Sequence, residues 1–150
     1  VLFRSNRAPE PVAEPPAALL QGLGLAPEAV LRNRQAWFAV YRDEQQVRAL
    51  APDLQALRTL APLDVVVTAP GREQDFASRY FWPANGGAED PVTGSIHAAL
   101  APYWAGQLGK SVLIGHQASR RTGTLYCEVT ASSVDVAGDC ARYLSGTITV

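Results

Sequence analysis

Residues 86–109 read GGAEDPVTGSIHAALAPYWAGQLG. Two acids and a proline stand against Thr-Gly-Ser just where an apolar helical pattern begins. Ile96, Ala99, Leu100, Tyr103 and Leu108 follow helical spacing, and Gly109 supplies the stop. Pro102 predicts a kink inside that helix. Upstream, residues 75–82 alternate, with Phe76, Ser78, Tyr80 and Trp82 on one side and Ala77, Arg79 and Phe81 on the other, the pattern of a strand. Asn85-Gly86-Gly87 is the flexible turn between them. Downstream, residues 111–118, 124–130, 134–144 and 147–150 read as short strands separated by RRTG, ASS and SG turns, an antiparallel meander. A helix with strands on both sides predicts an α+β fold, a curved mixed or antiparallel sheet wrapped around a central helix.

The first part of the chain extends that pattern. Residues 8–16, APEPVAEPP, read as an extended linker because four prolines fix φ and remove backbone donors. A short helix follows, with Pro16 at its first position and Gly22 or Gly24 at its end. Residues 37–41, WFAVY, are aromatic and β-branched and predict a strand. Asp43 is placed to cap a helix through Val47 and Leu50. Pro52 interrupts it, and a second turn restarts at Asp53 with Leu54, Leu57 and Leu60 on one buried face. LDVVVT, residues 63–68, is a buried strand.

Composition excludes several function classes. With 47% hydrophobic and only 18% charged residues in 150, the chain can bury a core of its own. A formal charge of −1 and scattered arginines leave no basic face for nucleic acid. No apolar run approaches the ~20 residues of a membrane span, and the opening Val1-Leu2-Phe3-Arg4 lacks a signal peptide's apolar region. The expectation is a cytoplasmic protein without membrane or nucleic-acid partners. Cys127 and Cys140 lie far from any metal or redox spacing and are expected to be reduced, packed, structural thiols. Met is absent even from position 1, which hints at a start inside a longer reading frame, or at removal of an initiator Met.

Several tempting motifs fail. Leu108-Gly109-Lys110-Ser111 resembles the tail of a phosphate loop, but Trp104 stands where the first Gly belongs, and the motif follows a helix rather than a strand. Gly22-Leu23-Gly24 lacks both the third Gly and a preceding strand. Ser95 and His97 sit two apart on a helix and point to different faces, so they do not form a nucleophile and base. His116 is remote from other ligands, so no metal site is expected, and both histidines read as ordinary hydrogen-bonded residues.

The acidic loop supports two readings. In the first, Thr93 caps the helix and Glu89 and Asp90 favour its positive end, together worth roughly 0.3 to 1 kcal/mol. In the second, Gly94 lets the N–H groups of Gly94 and Ser95 approach and hold a ligand carboxylate, with Thr93 beside them. Asp90 then orients or exchanges a proton on the ligand if burial raises its pKa, and Ser95 donates a hydrogen bond. Such a set suits proton transfer on a small carboxylated molecule rather than nucleophilic hydrolysis.

The residues that carry a resemblance are DFASRYF (75–81), EDPVTGSIH (89–97), LAPYWA (100–105), LGK (108–110) and QASR (117–120). Over about residues 30–146 the chain closely resembles the PhzF-like isomerases of phenazine biosynthesis. The resemblance implies one half of a diaminopimelate-epimerase-like fold, in which two similar halves each wrap a curved sheet around a helix and bind substrate between them. It assigns residues 1–29 to a Pro-rich linker and the end of a missing N-terminal half, and residues 30–150 to the C-terminal domain. It also implies a cofactor-independent isomerase or epimerase moving a proton between carbons of a small, dihydro-hydroxyanthranilate-like acid. Asp90 and Ser95 match the family's assisting aspartate and serine, while its principal glutamate lies in the first half. A homodimer is implied for the complete protein.

Departures accompany the match. Arg121-Thr122-Gly123 stands where the family often has paired glycines, Ile96 replaces a commonly smaller residue, and VLFRSN matches nothing. The loop contains no cysteine, so thiol-based racemisation is disfavoured. The rival reading is a non-catalytic domain that captures a small carboxylate at the helix N-terminus.

Overall fold

In the computed structural model, residues 8–147 are described in full and residues 2–4 by their backbone. Among the described residues, ten strands form one mixed sheet. They are β1 (Leu2–Arg4), β2 (Glu10–Pro11), β3 (Ala29–Arg32), β4 (Ala36–Val40), β5 (Asp64–Pro70), β6 (Phe76–Phe81), β7 (Glu89–Asp90), β8 (Val112–Gln117), β9 (Gly123–Val129) and β10 (Ser133–Gly138). The spatial order is β1-β10-β9-β8-β6-β5-β4-β3-β2, and β7 pairs with β6 beside that path. The sheet stays open, with β1 at one end and β2 at the other.

Two joins, β4 with β5 and β6 with β8, are parallel and therefore need crossover connections. The first carries α2 (Glu44–Ala49) and α3 (Leu54–Arg58), and the second carries α4 (Gly94–Leu108). They pack on opposite faces. On one, Ile96, Leu100 and Trp104 of α4 meet Phe38, Val66, Phe76, Leu113, Leu125 and Val136. On the other, α2, α3 and α1 (Ala17–Leu23) bring Val47, Leu57, Leu19 and Leu23 against Ala39, Val65, Val67 and Phe81. The alternation along β6 therefore separates two cores, Phe76 and Tyr80 facing one and Phe81 the other.

Local chemistry explains the boundaries. Asp43 accepts from the Gln46 N–H at 2.9 Å, and Asp53 from those of Gln55 and Ala56 at 2.9 and 3.2 Å, so each aspartate starts a helix. Gly24 and Gly109 end α1 and α4 in the left-handed region. Pro16 stands at the N-cap of α1, one position earlier than expected. Part of the Pro-rich stretch lies along the sheet as β2, paired with β3, and the chain bends at residues 13–14 before α1.

Some expectations give way. The helix runs through Pro102 without a break. Beyond its first two residues it is enclosed on every side, Ile96 to Ala101 all being buried, while Leu108 is exposed. The strand expected over residues 134–144 ends at Gly138, and residues 139–147 are irregular and exposed. Residues 148–150, expected to be in a final strand, lie outside the described residues. Cys127 is buried, and burial pushes its thiol up to about 12. Cys140 is exposed, because the strand expected to pack it has already ended.

Candidate active site at the start of α4

Three elements converge on the acidic loop. The short strand β7 pairs with β6, putting Asp90 opposite Tyr80 and Glu89 opposite Phe81. The loop then turns through Pro91 and enters α4 at Thr93. From beneath, β8 presents Gln117, fully buried, whose amide is spent on this loop. Its Oε1 accepts the Thr93 N–H at 2.8 Å, and its Nε2 donates to the Asp90 carbonyl at 2.8 Å and the Thr93 hydroxyl at 3.2 Å. Ser119 adds a bond to the Pro91 carbonyl at 2.7 Å.

Glu89 and Asp90 have different fates. Glu89 forms a two-pronged pair with Arg79, at 2.7 and 3.0 Å, and does not serve the helix terminus. Asp90 accepts a short hydrogen bond on Oδ2 from the Thr93 hydroxyl. Thr93 holds the N-cap position but makes no side-chain capping bond. The expectation that it caps α4 is therefore corrected. Its hydroxyl receives a donor from Gln117, so its own proton goes to Asp90. Asp90 Oδ1 accepts nothing from the described residues.

The first-turn amides of α4 are left without a side-chain cap, and they carry the positive end of the helix. Gly94 opens the approach, since a Cβ there would meet nothing within 4 Å. A cavity of about 510 Å³ borders Gly94, lined also by Val92, Gly123, Leu125 and Val136. Ser95, half-buried, accepts a 3.0 Å bond from Gln35 Nε2. Thr93, Gly94, Ser95 and Asp90 thus share one loop and helix start.

Ser95 and His97 diverge, as their spacing requires. His97 is fully enclosed, and burial lowers its pKa to about 4. A neutral ring that donates from Nδ1 to the Thr93 carbonyl at 2.7 Å fits this setting, with Nε2 3.5 Å from the Ser78 hydroxyl. His116 on β8 departs from the expected hydrogen-bonded histidine: its Nε2 has no partner among the described residues. No three His, Cys, Asp or Glu side chains converge as metal ligands among the described residues.

Comparison with known proteins places this architecture. Residues 15–146 match the family model described as phenazine biosynthesis-like protein. The chain belongs to the phenazine biosynthesis-like, or PhzF, family. It is 45% identical over 142 residues to an uncharacterized isomerase of Pseudomonas aeruginosa, covering 95% of this chain and 54% of that protein. A second uncharacterized isomerase, from Halalkalibacterium halodurans, is 37% identical over 131 residues, covering 86% of this chain and 49% of the relative. Among solved structures, a PhzF-family protein of Enterococcus faecalis superposes with a TM-score of 0.86 at 37% identity, covering 92% of this chain and 52% of the other. A putative PhzC/PhzF protein from Clostridium difficile gives 0.87 at 33% identity, covering 100% and 57%. The chain thus spans about half the length of the curated relatives it matches. In this PhzF-family chain, no helix among the described residues is long and apolar enough to cross a membrane.

The sequence reading did not find Gln35 as part of the site, and met Gln117 only inside a family run. Gln35 sits in a polar turn, Asn33-Arg34-Gln35, where a contact 60 residues away leaves no local signature. The available signal for Gln117 was an amide at the end of a largely apolar strand. A buried amide there requires partners in another element.

Proposed function

We propose that this chain forms the C-terminal half of a cofactor-independent PhzF-like isomerase. That enzyme would move a proton between carbons of a small carboxylic acid of the dihydro-hydroxyanthranilate type. The observation that carries the reading is the diversion of the Thr93 hydroxyl to Asp90. One interaction leaves the helix amides uncapped and fixes a carboxylate beside them. The names of the relatives and the family's fold support the same reading.

The substrate carboxylate would sit against the Gly94 and Ser95 N–H groups, where unpaired donors and the helix dipole favour an anion. Withdrawal of charge into that seat helps an adjacent carbon release its proton. A base supplied by the other half takes that proton, the electron pair shifts along the substrate's conjugated bonds, and a proton is returned at another carbon. No net oxidation occurs. Asp90, with Oδ1 free and Oδ2 held by Thr93, would take part as acid/base, and Ser95 would hold the substrate by its hydroxyl.

The complete protein with Asp90→Asn should turn over roughly 10²-fold more slowly, the usual scale of acid/base loss, with an unchanged fold. Solvent deuterium entering a dihydro-hydroxyanthranilate and related carboxylates, followed by NMR, is the assay. Undiminished deuterium uptake would remove Asp90 from the mechanism. Binding by calorimetry without deuterium entry would favour a non-catalytic carboxylate-binding domain, which the same helix terminus also permits.

A further inference from the structure

A polar cluster lies beneath Ser95. It begins at Asp64, at the start of β5 and 7% exposed. One carboxylate oxygen accepts from Asn85 Nδ2 at 2.8 Å, and the other accepts a short bond from the Tyr80 hydroxyl. Burial, with Asp64 beside it, raises the Tyr80 pKa, so the phenol keeps the proton it donates. Gln35 Nε2 donates to Ser95 Oγ at 3.0 Å.

Gln35 is itself firmly held. Asn33 Oδ1 accepts the N–H groups of Gln35 and Ala36 at 2.8 and 3.0 Å, and the Gln35 carbonyl accepts the Asp64 N–H at 3.2 Å. The β3–β4 turn is thereby tied to the residue that anchors the cluster. An amide N–H can only donate, so Ser95 Oγ accepts from Gln35 and its own proton is left for another acceptor.

We infer that Gln35 is a positioning residue for Ser95, fixing the hydroxyl as a donor toward whatever occupies the site. This rests on the isomerase reading for its purpose, but the geometry can be tested without a substrate. Ser95→Cys replaces the hydroxyl with a titratable thiol, and Cys140→Ser removes the exposed thiol that would confuse the signal. Thiolate absorbance against pH, measured on the complete protein, reports whether a donor faces position 95.

With Gln35 in place, the introduced thiol should titrate below its ordinary value. Gln35→Met should raise that pKa by about one unit, and Gln35→Glu by more, because a carboxylate opposes the thiolate. Two variants of similar reach guard against one failing to fold. The same titration in all three backgrounds would overturn the positioning role. Absence of deuterium entry with the complete wild-type protein would instead overturn the isomerase reading and leave the thiol shift standing.

Discussion

His97 lies directly below the loop that carries Asp90, and its proton is where pH enters the site. Burial depresses its pKa from 6.5 to about 4, so between those values the unfolded chain binds the extra proton and the folded chain does not. Its contribution is complete above pH 6.5 and is lost as pH falls toward about 4. The full effect is on the order of 3 kcal/mol, in the same direction as the depressed carboxyls of Glu44 and Asp75, which act at lower pH. Urea midpoints for wild type and His97→Asn should therefore converge as pH falls from 6.5 to 4.5. Parallel curves would mean that His97 takes up its proton without cost. Asp90→Asn belongs to this scale too: its carboxylate is held by Thr93 rather than used as structural glue, so its loss should appear in turnover and leave the midpoint nearly unmoved.

Among the elements, β8 and the start of α4 behave as one unit because Gln117 bonds to both ends of the loop between β7 and α4. Gln117→Leu leaves the Thr93 N–H and the Asp90 carbonyl without their partner. The expected loss is on the order of 3 kcal/mol, with faster hydrogen exchange confined first to Thr93 and Gly94. A urea midpoint matching wild type would show that the loop is held by something else. Local signals made these elements legible: aspartates at 43 and 53 announce two helices, and Gly109 announces the end of α4. Other features were not legible because they depend on partners distant in sequence. The period of α4 marks a one-sided stripe, yet Ala98 and Ala101 are buried as well, since the sheet passes around this helix. Likewise Thr93 looks like a cap until Asp90 and Gln117 claim its hydroxyl.

Across the whole molecule, Arg79 joins the layers. From β6 its guanidinium donates to the Val47 and Leu50 carbonyls at 3.2 and 2.7 Å, closing α2, while it grips Glu89 of β7. With side-chain exposures of 13% and 21%, this pair is sheltered enough that breaking it leaves a costly charge. Arg79→Met should destabilise by about 3 kcal/mol, and adding Glu89→Leu should recover part of that. Strict additivity in thermal or urea unfolding would show that the two charges are not coupled. At this scale the α+β class and the place of the central helix were readable from the order of strands. The site was readable as one loop, because Asp90, Thr93, Gly94 and Ser95 are neighbours in sequence. Its supports at Gln35, Asp64 and Tyr80 come from separate strands and turns and carry no common motif.

The proposed function depends on the uncapped first turn of α4 being a carboxylate seat. The most direct measurement is a titration of the isotope-labelled complete protein with 2-aminobenzoate, following backbone amide resonances. Saturable downfield shifts of the Gly94 and Ser95 N–H groups, retained in Asp90→Asn, are predicted. If those two amides stay in place while the ligand saturates elsewhere, or if no amide moves at all, the seat is not there.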